Sequence, residues 1–137
     1  MKNQGFTFIE AVLTLTLLAG GLMGILTLYQ RNVVEANQIE QTLQADYLAQ
    51  ERMEDIIQDK KYNLYAYVTA ANYLASEDLT AQGFRGFIRT IQIREVSPSN
   101  FSVTQAGSNY KEITVSVQVP GENTVTLRTL LTKWGEL

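Results

Sequence analysis

Cysteine and histidine are both missing from the 137 residues, and proline occurs only twice. Without a thiol or an imidazole, cysteine nucleophiles, Cys/His zinc sites and Ser–His–Asp hydrolysis are excluded. Whatever folds here does so without a disulfide, though the lack of cysteine says nothing about redox compartment. Net charge is also scarce, at −3, and it is unevenly spread. Residues 1–58 hold three cations (Lys2, Arg31, Arg52) against seven acids, whereas residues 59–137 hold eight cations against seven. An acidic stem and a nearly neutral remainder argue against a basic nucleic-acid groove. At 45% apolar residues the composition is that of a folded chain with room for about one domain.

What is present begins with an apolar run. Ala11–Tyr29 is nineteen residues without a charge, about the length needed to cross a hydrocarbon core as a helix. A secretory signal peptide is the rival reading, but such a signal has a shorter apolar stretch followed by small residues at a cleavage site. Gly24–Gln30 carries no Ala-x-Ala pattern. A carboxylate, Glu10, stands at the head of the run. A charge deep in a bilayer costs on the order of 3 kcal/mol, less at an interface. One account places Glu10 at headgroup level, near the positive end of the helix dipole.

The residues before it support a second account. Met1-Lys2-Asn3-Gln4-Gly5 is a short polar leader with one cation, followed by Phe6-Thr7-Phe8-Ile9-Glu10 and the apolar span. The string Gly5–Glu10 closely resembles the processing signature of type IV prepilins and type II secretion pseudopilins. The resemblance covers about the first thirty residues. It implies cleavage by a membrane prepilin peptidase between Gly5 and Phe6 on the cytoplasmic side, with N-methylation of Phe6. Glu10 would then be fifth in the mature chain and would serve assembly, facing the amine of Phe6 in a neighbouring subunit or in its own chain. One helical turn separates the two positions, and charges that are costly alone in a poorly solvated setting offset one another when paired.

Gly20, Gly21 and Gly24 interrupt the span, with small-xxx-small spacing between Gly20 and Gly24. Close helix approach, simple tolerance of glycine in lipid and local melting on assembly all fit this pattern. From Arg31 to about Gln58 there is neither proline nor glycine, so the helix should continue beyond the membrane. Two apolar rows run along it: Ile39, Leu43 and Tyr47; then Ala45, Ala49 and Met53, extended by Ile56 and Ile57. Either the later row packs on a head while the earlier faces neighbouring helices, or the two form one drifting core face. The stretch Leu48–Ile56 resembles the same helix in I-type minor pseudopilins and PilV-type minor pilins, a less specific likeness.

Residues 60–83 hold Tyr62, Tyr65, Tyr67 and Tyr73 and show no clean period, which reads as a connecting loop with a short helix around Tyr65–Leu74. The acid pair Glu77-Asp78 within it reads as solvated surface. After Gly83 the period becomes two. Strands are expected over Phe87–Val96, Phe101–Thr104, the alternating Ile113–Val119, and Val125–Thr132, with turns at Ser97–Asn100 and Pro120–Asn123. Trp134 is expected to be a packing residue.

The expected architecture is α+β, a pilin-like fold in which a long N-terminal helix packs on a small antiparallel sheet. Its parts are a leader (1–5), a transmembrane and assembly helix (6–30), the outer half of that helix (31–59) and a globular head (60–137). The resemblance implies a minor pilin or pseudopilin and no enzyme, with no metal and no cofactor. Its expected partners are other pilin or pseudopilin subunits, the prepilin peptidase, an inner-membrane assembly platform and the membrane itself. It further implies a single-pass protein of the cytoplasmic membrane with its head outside, later part of a pilus or periplasmic pseudopilus. The alternative function is a filament-tip binding module for adhesion, DNA uptake or secreted-substrate recognition, with the tyrosine-rich segment as its surface.

Overall fold

The computed structural model describes residues 7–121 and 124–134. The leader and the expected processing positions Gly5 and Phe6 lie outside the described residues. The chain forms two compact units, Met1–Glu40 and Gln41–Leu137, and a helix, α1 (Phe8–Tyr67), contributes to both.

In the first unit the side chains that line α1 are almost all exposed. None of residues 7–40 is buried, and Phe8 and Met23 are 86% and 74% exposed. Leucine, alanine and methionine favour helix, and no proline breaks it. The threonines, poorer helix formers, turn their hydroxyls back onto carbonyls one turn earlier: Thr14 Oγ1 donates to Glu10 O at 2.7 Å and Thr27 Oγ1 to Met23 O at 2.8 Å. Each hydroxyl is thereby satisfied without water. Length and apolarity are sufficient for this segment to span a membrane.

The second unit is α+β: the outer part of α1 packs on a small antiparallel sheet. Ala45, Leu48, Ala49, Met53 and Ile56 recur at three- and four-residue intervals and are buried, while Leu43 and Tyr47 remain exposed. The later apolar row is therefore the core row. Alanines at 45 and 49 let the helix backbone approach the strands closely, and Leu48 and Ile56 fill the space between them. Burial of a side chain of that size contributes about 1.5–3 kcal/mol.

The sheet contains β1 (Ser76–Asp78), β2 (Ile88–Ser97), β3 (Asn100–Thr104), β4 (Tyr110–Gln118) and β5 (Thr124–Thr132). Their order is β1-β2-β4-β5, with β3 folding back on the end of β2. Strand β4 is central, and its inward residues Ile113, Val115 and Val117 are fully buried. Register sets Val115 between Ile91 of β2 and Leu127 of β5. The two-residue turn Pro98-Ser99 joins β2 to β3, and a register shift between Val96 and Ser97 bends the pair there.

Three expectations need correction. The segment after Gln58 continues as helix to Tyr67, broken only at Leu64 (φ 69, ψ 166). No proline or glycine stops it before then, and Asn63 Nδ2 donates to Asp59 Oδ1 at 3.3 Å across one turn. Glu77 is not solvated surface: strand alternation in β1 turns it inward, where its side chain is 13% exposed between two arginines. Trp134 does not pack. It lies beyond the end of β5 and is 71% exposed.

Candidate assembly site

Glu10 occupies the third position of α1, and Thr7 is the residue before the first helical turn. Thr7 O accepts the first helical bond, from Ala11 N at 3.1 Å. Glu10 N donates to Thr7 Oγ1 at 3.4 Å, while Thr7 Oγ1 donates to Glu10 Oε2 at 3.5 Å. Thr7 and Glu10 have the Thr-x-x-Glu spacing of a helix-start box, and its threonine half is formed; the Glu10 carboxylate meets the Thr7 hydroxyl rather than the Thr7 N–H. That contact keeps the carboxylate beside the free N–H groups and the positive end of the helix dipole. Sequence reasoning placed Glu10 by its charge and missed this cap, although threonine three residues before an acid at the head of an apolar run is its signature.

The cap does not exhaust Glu10. A long, exposed Thr7 contact leaves most of the carboxylate's accepting capacity open. What the site offers is one negative charge at the entrance of a helix whose following nineteen residues carry none.

In the second unit, charge is spent inside the fold. Arg89, 5% exposed, sits on the inner face of β2 in phase with Ile91. Its Nε and Nη2 donate to Glu77 Oε2 at 2.8 and 2.7 Å, and its Nη1 donates to the Leu48 carbonyl at 3.2 Å and lies 3.7 Å from Glu51. Arg52 on α1 pairs with the other oxygen of Glu77 at 3.3 Å and with Asp55 at 3.5 Å, its guanidinium 5.7 Å from the ring centre of Tyr73. Arg52 Nε is buried without a hydrogen-bond partner. The hydroxyl of Tyr73 donates to Asp59 at 2.8 Å. Burial first, and the Asp59 carboxylate second, push that phenol well above its ordinary value. Together these contacts bolt α1 to β1 and β2 at one fixed register.

A second buried cation closes the end of the helix. Lys111, inward on β4 two residues before Ile113, donates to the Tyr65 carbonyl at 2.9 Å and lies 4.1 Å from the centre of that ring. It lines a cavity of about 410 Å³ with Leu64, Thr69, Glu95, Ser108 and Lys133. Tyr65 Oη donates to Ser108 O at 3.3 Å, so the polar wall is largely occupied by the fold itself.

Of the four tyrosines in the 60–83 segment, Tyr65 and Tyr73 belong to the core, and Tyr62 and Tyr67 are exposed. Both buried cations were legible as breaks in an apolar alternation, Arg89 ahead of Ile91 and Lys111 ahead of Ile113. Their partners were not legible, because Glu77 lies in a three-residue strand and the Leu48 and Tyr65 acceptors are backbone. No family model, no curated protein and no solved structure matches the chain.

Proposed function

We propose that this chain is a prepilin-like structural subunit, processed between Gly5 and Phe6 and assembled into a filament through its N-terminal helix. The observation that carries this reading is Glu10: an exposed carboxylate in the first turn of α1, directly before the charge-free apolar run Ala11–Tyr29, of which no residue is buried. A carboxylate there is costly in lipid unless it meets a cation. Cleavage after Gly5 creates one, the free amine of Phe6, one turn away on the same or a neighbouring helix. A subunit in the membrane with an uncompensated Glu10 gains by docking on a subunit that presents its amine. The pairing also sets the axial offset between them.

The wider architecture is compatible with a pilin-like fold, in which the outer part of the helix packs on an antiparallel sheet. The partners this reading requires are other pilin or pseudopilin subunits, a prepilin peptidase and an inner-membrane platform. It places the protein in the cytoplasmic membrane before assembly and in a pilus or pseudopilus afterwards, as a minor subunit. The tip-binding alternative has less support, since half of the tyrosines that would form its surface are core.

Intact-mass analysis of the protein from its native host tests the processing step; the expected product begins at methylated Phe6. Retention of Met1 would sink the proposal. Glu10→Val tests assembly. Incorporation into filaments is expected to fall about tenfold or more, the equivalent of about 1.4 kcal/mol, with membrane insertion unchanged. Undiminished incorporation would remove the role assigned to Glu10.

A further inference from the structure

The two sides of the sheet are finished differently. On one side β1 is three residues long, and its central residue, Glu77, is tied to Arg52 and Arg89. The adjoining β3 is capped by side chains: Arg94 Nη2 donates to the Phe101 carbonyl at 3.4 Å, and Asn100 Oδ1 accepts from Ser102 N at 3.0 Å. Short strands and side-chain caps are how sheets avoid further pairing.

The other side is β5, nine residues long and paired along its whole length with β4 without a register shift. Among the described residues no other strand pairs with it, and no side chain bonds to its backbone. About half of its backbone N–H and C=O groups therefore face outward. Threonine, valine and leucine make up the strand except at its centre, and it contains no proline or glycine. That centre is Arg128, exposed, on the face away from α1 and opposite Thr114. Arg52, Arg89 and Arg94 each hold a carboxylate. Arg128 holds none among the described residues, and the next cation along the chain, Lys133, directly follows the strand.

We propose that the free edge of β5 receives a strand from a partner protein: an extended segment running antiparallel to Thr124–Thr132, with a carboxylate set against Arg128. Main-chain bonds to the open edge supply the attachment, and the acid supplies the register. A second copy of this chain is a poor occupant. Between Thr124 and Trp134 it carries Arg128, Lys133 and no acid, so edge-to-edge pairing of two β5 strands brings together only like charges.

The test uses the full-length protein in detergent micelles and two capped nine-residue peptides that alternate threonine and valine, one with a central Glu and one with a central Lys. Amide hydrogen exchange is read across the sheet by NMR. The Glu peptide is expected to slow exchange at alternate residues of β5 by about tenfold or more and to bind about threefold more tightly than the Lys peptide. Arg128→Glu should reverse that preference. Thr126→Lys, an exposed change on the same face, should widen the preference for the Glu peptide without altering exchange in β4. Protection that appears with rising protein concentration and no peptide would assign the edge to a second copy and overturn the proposal. Absence of protection in β5, or protection indifferent to the peptide's charge, would overturn it equally.

Discussion

Residues 7–40 and residues 41–134 solve opposite problems with the same few residue types. In the first region apolar side chains face outward and hydroxyls turn in to carbonyls of their own helix. In the second, apolar side chains are inside, and the charged ones that enter with them are matched across long stretches of chain: Arg89 to Glu77, Arg52 to Glu77, Lys111 to the Tyr65 carbonyl. The second region has an apolar core and matched charges of its own. The first has no buried side chain among its described residues, and helix propensity alone is a weak force. Its length and apolarity are sufficient for it to span a membrane, an environment in which outward apolar side chains are solvated.

The largest effect should come from unbalancing the charges that the second region has buried. Glu77→Ala leaves Arg89 inside with only the Leu48 carbonyl and a distant Glu51, and removal of one member of such a pair costs about 3–5 kcal/mol. Urea unfolding of the full chain in micelles, followed by tryptophan-independent far-UV dichroism, should show the midpoint fall accordingly. The double variant Glu77→Leu with Arg89→Met should recover most of it. If the single change costs no more than a surface substitution, the region's dependence on internal charge matching is wrong. Leu48→Ala comes next, at about 3 kcal/mol, because Leu48 is 1% exposed at the centre of the helix–sheet contact and the gap would be only partly closed.

A smaller, pH-dependent effect belongs to Tyr73. Its phenol is held protonated in the fold by burial and by Asp59, so its folded value lies above the unfolded one. The contribution is intact below the unfolded value, near pH 10, and is lost as pH rises above it, since only the unfolded chain then releases the proton readily. Tyr73→Phe should cost about 1 kcal/mol at neutral pH and flatten the alkaline decline. An unchanged slope between pH 9 and 11 would show that Tyr73 is not its source.

How much of this was readable beforehand depended on the range of the interaction. The charge-free run, the helix through residue 58 and the β4 alternation were legible because each is a local period: Val115 and Val117 are buried for the same reason that Thr114 and Ser116 are not. The helix end was misplaced because Lys60–Tyr67 offers no stop signal, and its terminus is set by Leu64 and by Lys111, a residue far along the chain. Glu77 was misread for the same reason; a three-residue strand has no period, and only the fold brings Arg52 and Arg89 to it. For the candidate site, Glu10 and the apolar run could be read directly, while the Thr7 cap was present only as a local Thr-x-x-Glu pattern.

The smallest expected change is also the sharpest discrimination between the two regions' ways of using carbon. Leu43 and Leu48 lie five residues apart on α1, one 64% exposed and the other 1%. Leu43→Ala removes the same atoms as Leu48→Ala but vacates no internal space, so unfolding of the second unit should shift by less than about 0.5 kcal/mol. If the exposed row of Leu43 and Tyr47 is an extension of the outward apolar surface, the loss must appear elsewhere, as reduced incorporation into filaments at unchanged stability. A fall in stability comparable to that of Leu48→Ala would place Leu43 in the core. A change in neither quantity would leave the outward use of apolar surface to the first region alone and restrict assembly contacts to residues before Gln41.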